Sequence, residues 1–135
     1  MSAALRSEGR TVAAVAAGGV LGALARYGTG LALPSAPGTF PLATFLVNVL
    51  GCLLMGVLIV TITELRQAHP LVRPFLGTGV LGGFTTFSTY AVDAQGLLRT
   101  GHLAIAGTYL AGTLAAAVAA TWVGMWLTRT AGAVR

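Results

Sequence analysis

Apolar residues along this chain fall into four long runs, separated by short clusters of Pro, Gly and charged residues. The first covers about residues 12–33 and closes at Pro34, Pro37 and Gly38. The second covers about 40–63 and ends in Glu64, Arg66, Gln67 and His69. Pro70 and Pro74 bracket the start of the third, about 71–98, and the fourth runs from about 103 to 127. A bilayer crossing needs roughly 20 apolar residues, so each run is long enough for one. The pattern predicts an all-α membrane protein: four transmembrane helices in a single transmembrane domain over 1–135, behind a polar tail over 1–10. Trp122 and Trp126 near Arg129 fit an interfacial aromatic belt at the end of the fourth helix.

The third run is not uniform. Residues 82–90 read Gly82-Gly83-Phe84-Thr85-Thr86-Phe87-Ser88-Thr89-Tyr90, two adjacent glycines followed by a dense set of hydroxyls. A continuous helix whose hydroxyls bond the preceding turn is one reading. A helix broken inside the membrane is the other, and such backbone is tolerated only within protein or along a water-filled path. Broken helices present freed carbonyls to cations, while half-helix N-termini favour anions. Phe87 and Tyr90 lie three apart on one helical face, and aromatic ring edges are electropositive. Thr86, Ser88 and Thr89 add hydroxyl donors, and Asn48, inside the second run, adds an amide. A buried Asn can equally serve as interhelical glue.

Composition excludes a soluble fold. Of the 135 residues 56% are apolar and only 8% charged, too little charge to cover a soluble surface. The 19 glycines lie mostly inside the apolar runs, where small residues let helix backbones approach. Gly18 and Gly22 form one GxxxG pair, Gly79 and Gly83 another, and both predict tight helix contacts within or between subunits. The formal charge is +5, carried by arginines scattered near run ends, which suits topology and headgroup contact and not nucleic acid. Arg6 and Arg10 before an apolar stretch resemble a secretory signal, but Arg26 inside that stretch and the three runs after it favour an uncleaved first span. The single cysteine, Cys52, gives no disulfide or metal framework and reads as a packing residue. Gly77-Thr78-Gly79-Val80-Leu81-Gly82 matches a dinucleotide fingerprint, yet lacks the strand, the βαβ unit and the acidic residue that the fingerprint requires.

The chain resembles the Fluc/CrcB family of fluoride channels. The resemblance rests on Gly18, Gly19, Gly22, Arg26 and Tyr27 in the first span. It rests also on Phe40-Pro41-Leu42-Ala43-Thr44-Phe45-Leu46-Val47-Asn48-Val49-Leu50-Gly51 in the second and on residues 82–90 in the third. It implies an antiparallel, dual-topology dimer in the cytoplasmic (inner) membrane, with two pores that export fluoride passively and relieve its toxicity. It implies a structural sodium ion held by backbone carbonyls at the break, here those of Gly82 and Thr85. The pore's phenylalanine pair falls on Phe87 and Tyr90, its asparagine on Asn48, and its hydroxyl track on Tyr109 and Thr113, while Arg26 falls at the aqueous vestibule. Tyr90 stands where a second Phe is commoner, and Ala117 stands where a third hydroxyl of the track is expected.

Rival functions fare less well. A small multidrug or cation exporter also has four short spans, but proton coupling needs a membrane-embedded carboxylate. The three acids, Glu8, Glu64 and Asp93, read as lying in the tail or near span ends. An intramembrane enzyme lacks support, since His69 and His102 both fall near loops and no catalytic motif is present.

With the N-terminus inside, Arg6, Arg10, Arg66, Arg73, Arg129 and Arg135 are inside and only Arg26 and Arg99 outside. Lys and Arg bias sets orientation, so the chain leans N-in. The partner is therefore either an inverted copy of itself or a paralogous subunit of opposite bias. C-terminal reporter fusions are expected to show one predominant orientation; equal populations of both would remove the case for a paralogue.

Overall fold

A computed structural model describes residues 3–65 and 67–133 of the chain. Arg66 and Arg135, counted above among the span-end arginines, lie outside the described residues. The described chain is helical apart from its connections. Helix α1 is Ala3–Ala32, beginning upstream of the first apolar run and taking in most of the stretch read as a polar tail. Helix α2, Leu42–Val60, continues through a wider π-helical turn, Thr61–Leu65. Helix α3 joins a π-helical stretch, Arg73–Leu81, to a short α-helical turn, Gly82–Phe84. Helix α4 is Ser88–Arg99 and α5 is Leu103–Ala133. Segments Arg6–Ala32, Leu42–Leu65 and Leu103–Gly132 are each long and apolar enough to cross a membrane unaided. The third apolar run is split between α3 and α4 by the non-helical residues 85–87, so neither half reaches that length alone.

The connections end where backbone chemistry requires. Gly101, at φ +80°, closes α4: its N–H bonds Leu98 O, and His102 N–H bonds Leu97 O. That pair of bonds is the glycine-dependent C-terminal cap, which satisfies carbonyls the helix leaves free. Gly38, at φ +78°, turns the chain between α1 and α2, and the His102 ring lies against it.

Two parallel helix pairs build the bundle, and glycines decide both. A Cβ at Gly22 would overlap the Val80 carbonyl, and one at Gly79 would sit 2.9 Å from Gly18 Cα and Val15 O. Likewise a Cβ at Gly83 would lie 2.5 Å from Gly19 O. The two GxxxG pairs thus face each other within one subunit and hold α1 against α3, backbone to backbone. The α2–α5 contact uses the same device: Gly56 abuts the Thr121 carbonyl, and Gly124 abuts the Leu53 carbonyl. Lipid is as apolar as leucine, so this contact draws on close van der Waals packing and not on water exclusion. At one end of the α2–α5 pair, Arg129 grips Glu64 with two bonds, Nη2 to Oε1 at 2.7 Å and Nε to Oε2 at 2.9 Å.

Because the neighbours at these glycines are backbone, they cannot move aside. Gly22→Val and Gly124→Val should each destabilise the purified protein by about 3 kcal/mol or more, near the upper end for overpacking. Gly107→Ala should be close to neutral, since nothing lies within 4 Å of its added Cβ. Thermal denaturation in detergent, followed by size-exclusion recovery, checks all three.

Candidate functional site at the helix break

The break between α3 and α4 has a definite internal cause. Thr85 turns extended, at φ −74° and ψ 159°, and takes the chain out of the helix. The backbone groups of Thr86 then pair with the Asn48 side chain: Nδ2 donates to Thr86 O at 2.9 Å, and Thr86 N–H donates to Oδ1 at 2.8 Å. Thr86 Oγ1 in turn accepts from Thr89 N–H at 3.1 Å, capping the first turn of α4. Arg26 Nε donates to Gly83 O at 3.1 Å from the facing helix.

These bonds redistribute donors. In a continuous helix Thr86 N–H would bond Gly82 O, Phe87 N–H would bond Gly83 O, and Thr89 N–H would bond Thr85 O. The first now goes to Asn48 and the third to Thr86 Oγ1, which releases the carbonyls of Gly82 and Thr85 from their helical partners. Gly83 O is compensated by a charged donor, Arg26, which makes the stronger kind of hydrogen bond. The carbonyls that the resemblance assigned to sodium are thus two that the break sets free. Among the described residues no group of three His, Cys, Asp or Glu could hold a metal.

A groove of about 580 Å³ opens beside the break, lined by Asn48, Cys52, Gly82, Thr85, Thr86, Phe87, Tyr90, Thr113, Leu114 and Ala117. Most of the predicted site residues therefore meet on one surface. Phe87 stands out from it, 80% exposed, with its ring 5.8 Å from that of Tyr90. The Tyr90 hydroxyl does not face the groove as a free donor; it donates to Leu110 O at 2.8 Å and pins α4 to α5. Thr113 is 4% exposed, and its Oγ1 is the one buried side-chain polar atom without a hydrogen-bond partner among the described residues. Ala117 lines the same wall and offers no hydroxyl.

Other predicted residues lie elsewhere. Tyr109 is fully buried behind Tyr90, with ring centroids 5.2 Å apart, and its hydroxyl points to Asp93 Oδ2 at 3.4 Å. The hydroxyls of Ser88 and Thr89 gather on Thr86 Oγ1, at 3.3 and 3.1 Å, instead of lining the groove. Arg26, with Tyr27, Thr44, Thr86 and Thr89, borders a second cleft of about 400 Å³ on the opposite side of the break.

Asp93 lies towards one end of the bundle, where it lines a cleft with Ser35, Pro37, Thr39 and Thr100 beside the α1–α2 connection. It lies midway along α4, and its Oδ2 also accepts from Thr44 Oγ1 at 2.7 Å. Thr44 and Tyr109 thus tie this side chain to α2 and α5. A signal for it existed: Tyr90, Asp93 and Leu97 share one helical face, and Thr44, Asn48 and Cys52 form a matching i, i+4 stripe on α2.

The fold and this groove define a class: a multi-pass helical membrane protein whose third span is broken beside a groove bearing an amide and hydroxyls. Residues 13–125 match the family described as CrcB-like protein, Camphor Resistance (CrcB). The chain belongs to that family, as the motifs of the first three spans implied. It is 54% identical over 124 residues to "Fluoride-specific ion channel FluC 1" of Streptomyces coelicolor, covering 92% of this chain and 80% of the relative. It is 50% identical to "Fluoride-specific ion channel FluC 2" of Nocardia farcinica, over 90% of this chain and 88% of the relative. With "Fluoride-specific ion channel FluC" of Rhodospirillum centenum it shares 45% identity across 90% of this chain and 98% of the relative.

The geometry separates two kinds of residue. Asn48→Ala would strip both backbone partners from Thr86 and should cost about 2–4 kcal/mol, the penalty for unpaired buried polar groups. Phe87→Ala removes an exposed ring with no structural tie and should leave stability nearly unchanged. Thermal midpoints of the two variants check this; equal midpoints would mean the amide does not hold the break.

Proposed function

We propose that this chain is a subunit of a fluoride-selective channel through which fluoride leaves the cell passively. The names of its relatives support the ion, and one observation in the site carries the mechanism: the buried, partnerless hydroxyl of Thr113, beside Asn48 and the Phe87 ring. Fluoride is small and strongly hydrated, so a narrow pathway must replace its water with donors. Asn48 keeps one amide hydrogen beyond its bond to Thr86, Thr113 has an uncommitted O–H, and Phe87 and Tyr90 offer electropositive edges. None is a fixed positive charge, so binding stays weak enough for the ion to leave. Arg26, across the break, would attract anions towards the cleft it borders without standing in the groove.

One subunit leaves its groove open along the side where Phe87 projects. An inverted second subunit, this chain or a paralogue, would close it and form a dual-topology dimer in the cytoplasmic membrane. A sodium ion at the centre of that dimer would be held by the carbonyls of Gly82 and Thr85. When bound, it would supply positive field beside the pathway and neutralise backbone dipoles that the break leaves unpaired. The exporter reading is not favoured: Asp93 lies beside the α1–α2 connection, held by Thr44 and Tyr109, and the relatives are named as channels.

Liposomes containing the purified protein are expected to release fluoride rapidly and chloride negligibly, read with ion-selective electrodes. Activity only when a paralogue is added would identify a heterodimer, and chloride release at a similar rate would sink the assignment. Thr113→Val deletes a hydroxyl that bonds nothing in the folded subunit, so stability should hold or rise. Flux should fall about tenfold or more, the worth of one hydrogen bond to a charged ligand. Thr113→Ser should retain it.

A further inference from the structure

Helix α1 is longer than a bilayer needs, and its surplus is basic. It has 30 residues, or about 45 Å at 1.5 Å per residue, against a hydrocarbon core of about 30 Å. Its Gly18 and Gly22 side is turned into α3. A different stripe, Arg10, Ala17, Leu24 and Leu31, repeats every seventh residue and is exposed throughout. Arg10 to Leu31 spans about 31 Å, one hydrocarbon thickness. With Leu31 at one boundary, Arg10 stands at the other. Arg6, one turn further on the same face, stands about 6 Å beyond, in the headgroup layer. Glu8 falls on the other side of the helix, away from both.

Neighbouring charges do not cancel this face. Glu64, the acid at the same end, is occupied by Arg129. Among the described residues that is the one ion pair, which leaves Arg6 and Arg10 without an acidic partner.

We propose that Arg6 and Arg10 form a binding site for the phosphate of an anionic phospholipid headgroup. The exposed leucines of the same stripe lie along its acyl chains. The site is separate from the groove and does not rest on the ion that the groove passes.

The test is retained lipid, scored apart from flux. Purified protein equilibrated with equal phosphatidylglycerol and phosphatidylcholine is analysed by native mass spectrometry. Wild type should retain phosphatidylglycerol preferentially. R6Q/R10Q should lose that preference, by about fivefold for each arginine near an anionic surface. R99Q, which alters the arginine at the other end of the bundle, should keep it. No preference in wild type, or an unaltered preference in R6Q/R10Q, would overturn the proposal. Loss of the native oligomer in R6Q/R10Q would also overturn it, assigning the arginines to a contact between copies.

Discussion

Inside a bilayer a backbone N–H or C=O has no water to bond, and every break in a helix must be repaired by protein. Here the repair is one side-chain amide: Asn48 meets both the N–H and the C=O of Thr86, as a neighbouring strand would. Without that pair the third span would have strong reason to close into a continuous helix. With it, α3 stops, α4 restarts on the Thr86 cap, and the carbonyls of Gly82 and Thr85 lose their helical partners. The groove, its projecting Phe87 ring and the freed carbonyls all follow from this substitution of one donor set for another.

The glycine contacts make the arrangement possible. α3 lies close against α1 at Gly18, Gly22, Gly79 and Gly83, and α2 meets α5 at Gly56 and Gly124. Gly51 extends the same logic to the break itself, where a Cβ would overlap the Thr85 methyl. Small residues thus fix the scaffold, and the polar residues between them are free to serve the site. The tyrosine at position 90 fits this division. Its ring remains at the groove beside Phe87, while its hydroxyl is spent on the Leu110 carbonyl and adds no loose polarity.

Asp93 shows how an acidic side chain is held in such a bundle. Thr44 and Tyr109 both bring hydroxyls to one of its oxygens, and Tyr109 is in turn walled in by Phe40 and Tyr90. Donors committed to a carboxylate are not free for a passing anion. Thr113, one turn along from Tyr109, keeps its hydroxyl uncommitted, and the two residues of the expected track therefore differ in chemistry despite sharing a face.

Much of the fold was legible in the sequence because bilayer physics is severe. Run length and the scarcity of charge determine a multi-pass helical protein, and Gly82-Gly83 before a hydroxyl cluster marks where a helix fails. Asn48, Phe87 and Tyr90 could be named from type and spacing, and Thr113 only through the family resemblance. Spacing on one helix, however, says nothing about what lies opposite. Only the tertiary structure decided that Asn48 bonds backbone, that the Tyr90 hydroxyl turns away and that Tyr109 serves Asp93. It also decided that the two GxxxG pairs pack against each other within one subunit. Hydrogen-bond partners and backbone contacts are relations between segments distant in the chain, and a one-dimensional pattern does not carry them.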